Sequence, residues 1–120
     1  MRDVKDEERK HVPVTQRTRE KIDEMLQSGV AEQIGEALCS AAYYDPDWRW
    51  VQTQCLRFLT HSDVGLRRNA ATCLGLIAVF HKKLDTNLVR AALQKAAEDP
   101  EVKSWAEDSL DDIRHSLELE

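Results

Sequence analysis

The side chains able to do chemistry in this chain are few: four histidines, three cysteines and some adjacent carboxylates. His11, His61, His81 and His115 are scattered and fall mostly at the ends of predicted helices, and no two of them share the i, i+3 or i, i+4 spacing that would aim both at one metal ion. There is no HExxH, no phosphate-binding P-loop and no GxGxxG. Cys39, Cys55 and Cys73 form no CxxC pair, and an odd count suits neither a disulfide framework nor a zinc knuckle. Reduced thiols in a reducing compartment are expected. Glu107-Asp108 and Asp111-Asp112 could in principle share acid–base work. They lie, however, on a terminal amphipathic helix whose other face carries Val102, Trp105, Leu110 and Ile113, so they read more simply as its wet side. Neither catalysis nor a metal or cofactor is expected.

The elements that carry these residues follow from composition and spacing. A chain of 120 residues is one domain's worth, and 42% hydrophobic residues suffice for one continuous core. No apolar run approaches the roughly 20 residues of a membrane span, and the N-terminus is no secretion signal. A cytoplasmic protein is expected. Only 6% aromatic residues, with four Gly and three Pro, argue for helices over a sandwich or barrel.

A repeat of 18 residues organises the chain. Val30, Trp48, Leu66, Leu84 and Val102 form one apolar series. Seven positions on come the small residues Ala37, Cys55, Cys73, Ala91 and Ser109; next to them stand Leu38, Leu56, Leu74, Ala92 and Leu110. Ala41, Leu59, Ile77, Lys95 and Ile113 follow three further on. Offsets of 0, 4, 7, 8 and 11 trace one face of a helix, so each period holds one helix and one short turn. Cap residues open periods at Asp45-Pro46-Asp47, His61-Ser62-Asp63 and Asp99-Pro100-Glu101, while Ser28-Gly29 and Lys82-Lys83 close others. The pattern predicts helices near 15–27, 30–43, 47–60, 63–81, 85–97 and 100–117, joined by short turns and therefore antiparallel to their neighbours. Cys55 and Cys73 hold the small seam position and read as apolar fillers. Residues 1–13 differ: eight of residues 2–10 are charged, which predicts a solvated arm before a single domain over 14–118.

Asp45-Pro46-Asp47-Trp48-Arg49 with Cys55-Leu56, Ser62-Asp63-Val64-Gly65-Leu66-Arg67-Arg68 with Cys73-Leu74-Gly75, and Asp99-Pro100-Glu101-Val102-Lys103 with Ser109-Leu110 resemble the helices of HEAT-like repeats of the phycobilisome-lyase type. The resemblance covers about residues 30–117 and implies an all-α fold, a short right-handed α-solenoid of about six antiparallel helices. In ordinary HEAT repeats the signature marks every second helix, whereas here it marks consecutive helices at 48 and 66. The resemblance identifies an architecture and no activity; the His-Glu dipeptides of HEAT-like di-iron hydroxylases are absent.

Two surface features remain. Trp48 holds a core position by register, but Trp50 stands where other periods place Glu32, Arg68, Thr86 and Ser104. With Tyr43 and Tyr44 it has the composition of an interface anchor; packing on the neighbouring helix or on the N-terminal arm is the alternative. The second feature is charge. Acids outnumber bases 22 to 17, for a net charge of −5. Residues 1–85 balance, so the excess lies in the last 35 residues, around Glu107, Asp108, Asp111 and Asp112. Such a face steers a basic partner; the plain alternative is the polar cap a solenoid needs at its end. Arg49, Arg67 and Lys103 share one offset that belongs to the repeat itself, and with the acid excess a nucleic-acid groove is not expected.

The expectation is a non-catalytic, cytoplasmic protein-binding module, monomeric until bound. In size, charge and architecture it resembles the immunity proteins of bacterial toxin–immunity pairs, which implies a basic, nuclease-like toxin domain as partner, bound through the acids and Tyr43, Tyr44 and Trp50. A general adaptor is the alternative, with a lyase-type chaperone subunit or a DNA-binding HEAT-like protein behind it.

Overall fold

The computed structural model describes residues 14–118, and the charged arm expected over 1–13 lies outside the described residues. Six helices follow in order: α1 (Arg19–Leu26), α2 (Ala31–Tyr44), α3 (Trp48–Phe58), α4 (Val64–His81), α5 (Thr86–Ala96) and α6 (Lys103–Ser116). Each boundary falls within one residue of the expected span except the starts of α1 and α6 and the end of α3. Side-chain caps explain three of the six starts. The side chains of Thr18, Asp47 and Asp63 accept from the backbone N–H groups of Lys21, Trp50 and Leu66. Gly29 turns the chain after α1 with φ of +75°, a conformation that costs a side-chain-bearing residue.

Residues 14–18 are not helical, contrary to the span expected from residue 15. The Tyr44 hydroxyl donates to the Val14 carbonyl at 2.8 Å and the Ser40 hydroxyl to the Thr15 carbonyl at 2.7 Å. These bonds hold the entry segment extended across α2, and Thr18 then caps α1.

α1 packs on α2, α3 on α4 and α5 on α6; the second members of the pairs pack side by side in a row, α2 against α4 and α4 against α6. α4 is the centre of the molecule. Leu66, Ala70, Ala71, Cys73, Leu74, Ile77 and Ala78 are all buried along it, each large one worth about 1.5–3 kcal/mol of burial. Small residues let the row close up. The Ser109 hydroxyl of α6 donates to the Ala71 carbonyl of α4 at 2.6 Å. A Cβ added at Gly75 would come within 2.7 Å of Ser109 Oγ and 3.1 Å of its Cα, so α4 and α6 could not approach this closely with any larger residue there.

The 18-residue register holds apart from Val30, which is 46% exposed, and helix α5. Ala37, Cys55, Cys73 and Ser109 are buried as expected, but Ala91 is exposed, and α5 buries Val89 and Leu93 instead. Helix α5 is rotated relative to the expected phase. Its entry explains the slip: Lys82 takes a left-handed conformation (φ 56°), and Asp85 is pinned from both sides by Gln52. Gln52 Nε2 donates to the Asp85 carboxylate and the Asp85 N–H donates to Gln52 Oε1, each at 2.8 Å. Asp85 therefore makes no capping bond to its own helix, and α5 starts in the phase that this lock sets.

Candidate functional site

Aspartates between helices take up two of the three cations that share the repeat's offset. Arg49 pairs with Asp85 at 3.3 Å. Arg67, largely buried, pairs with Asp99 at 3.2 Å and donates to the His61 and Ser62 carbonyls. Each joins one helix pair to the next, which is structural work.

Trp50 belongs to the same class. It is partly buried, and the Arg19 guanidinium lies 3.7 Å over its ring centre. Arg19 is also bidentate to Asp45, at 2.8 and 3.1 Å, with Asp47 at 3.7 Å. Hydrogen bonding to Asp45 raises the Arg19 pKa; burial by itself would raise Asp45, but the bonds from Arg19 and from the Asp47 N–H hold its carboxyl below the ordinary range. Trp50 thus packs against the core, with one face of its ring covered by Arg19.

Tyr43 and Tyr44 end α2, both more than 40% exposed. Tyr43 stacks at 4.7 Å on Phe80 of α4, which is 46% exposed. Phe80 was missed by sequence reasoning, although a signal was present: it stands 36 residues, two periods, after Tyr44. Tyr44 is half committed to the fold through Val14, which leaves Tyr43 and Phe80 as the open aromatic pair.

Glu107, Asp108, Asp111 and Asp112 are all exposed on α6. Asp111 pairs with Arg114 at 3.1 Å; among the described residues the other three make no ion pair. The acids thus sit on α6, and the aromatic corner at the ends of α2 and α4.

The thiols are ill suited to nucleophilic chemistry. Cys39 Sγ and Cys73 Sγ are 3.9 Å apart. Contact with Cys73 and then burial push the Cys39 thiol far up. Cys73 is lowered by Cys39 but raised further by Cys55 and by burial, so it too stays protonated. Among the described residues no group of His, Cys, Asp or Glu is arranged to hold a metal ion, and no helix is long and apolar enough to cross a membrane. One apolar recess of about 300 Å³ opens beside Leu56, Leu59, Ala92, Ala96 and Val102.

No protein-family model matches the chain, and no curated protein does. Among solved structures, it is similar to a chain of the "crystal structure of CDI complex from Cupriavidus taiwanensis LMG 19424". Identity is 33%, the match covers 87% of this chain and 94% of that one, and the TM-score is 0.79. At that identity over nearly the full length of both, the chain belongs to the same family as that component of the CDI complex.

Proposed function

We propose that this protein is an immunity protein of a contact-dependent growth inhibition pair, a non-catalytic binder that neutralises a cognate toxin domain. The observation that carries the reading is the 33% identity, over 94% of its length, to a chain solved within a CDI complex. The architecture and the charge support the immunity role over the toxin role. We read the three helix pairs as a short, right-handed, HEAT-like solenoid with antiparallel neighbours, and such scaffolds work by offering an extended surface. The net charge of −5 and the exposed acids of α6 suit a basic, nuclease-like toxin. Tyr43 and Phe80 supply apolar anchoring, Tyr44 contributes at their edge, and Trp50 supports them from the fold. The protein acts in the cytoplasm, as a monomer until bound.

The test is a tagged pull-down from source cells, eluted along a salt gradient, followed by co-expression of the captured domain with and without this chain. A single basic protein, released at moderate salt, whose toxicity this chain abolishes supports the reading. Many partners and no protected toxin would instead identify a general adaptor.

A further inference from the structure

The open side of the α2–α4–α6 row has a composition that the fold does not use. Contacts across the row fix its register. Cys39 meets Cys73, Tyr43 meets Phe80, Arg68 stacks on Trp105 at 4.1 Å, and Ser109 meets Ala71. These separations run from 34 to 38 residues, so positions about 36 apart lie side by side. On α4, between the sides that meet α2 and α6, Thr72 and Phe80 are exposed and Leu76 and Val79 half-buried. Steps of four, three and one residues keep them on one side of the helix for about two turns. Thr72 opens the series with a hydroxyl and a methyl; Leu76, Val79 and Phe80 make the rest of it an apolar ridge. On α2 the matching side carries Glu32, Glu36 and Tyr43, all exposed. On α6 it carries Asp108 and Asp112, which share the Trp105 side of the helix and stand beside α4. Glu107 and Asp111 each precede these by one residue and so point about 100° further round, away from α4.

The four-acid cluster is therefore two pairs with different outlooks. Only Asp108 and Asp112 border the ridge, as Glu32 and Glu36 border it on the far side. Two cations on these flanks are already engaged: Arg68 lies on Trp105 and donates to the Glu101 carbonyl at 2.7 Å, and Arg17 pairs with Glu36 at 3.4 Å. Lys82 and Lys83 come only after the ridge has ended at Phe80. An apolar strip between two acidic rims is complementary to one kind of occupant, an amphipathic protein segment with an apolar stripe flanked by Lys or Arg. We infer that this face, centred on Leu76 and Val79 and bordered by Asp108, Asp112 and Glu36, is where such a cationic, apolar-striped segment of the toxin docks. The inference rests on the immunity reading for the identity of the partner, and on the face alone for its chemistry.

Two double variants with the same net-charge change separate geometry from bulk charge. D108K/D112K reverses the pair beside the ridge and E107K/D111K the pair turned away. V79R places a long cation on the ridge at a half-buried position outside the fully buried core. T72R does the same at the exposed start of the ridge, so that the test stands even if V79R folds poorly. Each is titrated with the captured toxin domain and, independently, with a synthetic helical peptide of leucine and lysine. For both probes, D108K/D112K and V79R should weaken binding at least about tenfold, T72R at least about threefold, and E107K/D111K less than about threefold. Circular dichroism and Tm of each variant confirm folding. Equal losses from the two double variants, or full affinity in a folded V79R or T72R, would overturn the face. A toxin that is neutralised normally by D108K/D112K and by the ridge variants leaves the immunity reading standing and removes the face. The converse, peptide binding with this dependence but no protected toxin, keeps the face and removes the immunity reading.

Discussion

The seams between helix pairs and the open side of the row contain the same residue types in opposite states. At the seams the charges are paired: Arg19 with Asp45, Arg49 with Asp85, Arg67 with Asp99. The aromatic there, Trp50, has its ring covered by a guanidinium. On the open side Asp108 and Asp112 have no ion-pair partner among the described residues, and Phe80 and Tyr43 cover each other on one side and face solvent on the other. Satisfied groups hold the repeats together. Unsatisfied ones of the same chemistry are free for a partner, because their desolvation has not been matched inside the fold.

The strongest way to break this contrast is to damage the seam where backbones approach most closely. Gly75→Val puts a Cβ into the space of Ser109, including its Cα, and backbone cannot rotate away. The row must separate, at about 3 kcal/mol, and Tm should fall by roughly 12 °C or more. A thermal melt unchanged within 3 °C, on the order of 0.5 kcal/mol, would show that α4 and α6 are not held this tightly.

Gln52→Ala comes next. Gln52 is 2% exposed and satisfies both the Asp85 N–H and one Asp85 carboxylate oxygen. Its loss leaves a donor unpaired and should cost about 2 kcal/mol, with hydrogen exchange rising first at the start of α5. Unchanged exchange at Thr86–Val89 would mean the lock does not set the entry of that helix.

Much of the fold was legible because local signals agreed. Caps, turn residues and apolar phase all pointed to the same six helices. What was not legible depended on contacts distant in sequence. Residues 15–18 are held extended by Tyr44 and Ser40, some 25–30 residues away. Nothing local to Trp50 reveals that Arg19 covers its ring. Phe80 was overlooked because the pattern followed each helix only to its eleventh offset, and the aromatic corner lies past it. The four acids read as one cluster from sequence; only the neighbour across the row divides them.

Arg19→Ala tests the seam more gently. Arg19 is 41% exposed in its side chain, so solvent screening limits the ion pair, and the whole clamp should be worth about 1 kcal/mol. A double-mutant cycle with Trp50→Phe should show coupling of a few tenths of a kcal/mol, on the order of a stacked exposed pair. The pH dependence has a definite sign. The folded-state pKa of Asp45 is depressed, so its contribution is fully present above the unfolded carboxylate value of about 3.9 and is lost as pH falls below that toward the depressed folded value. Arg19→Ala should flatten that part of the acid unfolding curve. An acid limb that is identical in the variant would show that Asp45 does not titrate with the clamp.

The smallest expected effect comes from the exposed apolar residue that the contrast assigns to neither region. Leu88 is 55% exposed, more than any other large hydrophobic among the described residues. On exposure alone it would be a better anchor than Phe80. It sits on α5, outside the row, and it is exposed because the pinned Asp85 set the phase of that helix, leaving Val89 and Leu93 to fill the core. Its exposure is then a consequence of packing on a helix outside the row. Leu88→Asp should change stability by less than about 0.5 kcal/mol and leave affinity for the proposed toxin partner within about twofold, equivalent to roughly 0.4 kcal/mol. If instead Leu88→Asp abolished binding while Val79→Arg did not, the interface would lie on the outer helices, and the unpaired acids of the row would be only the polar end of a solenoid.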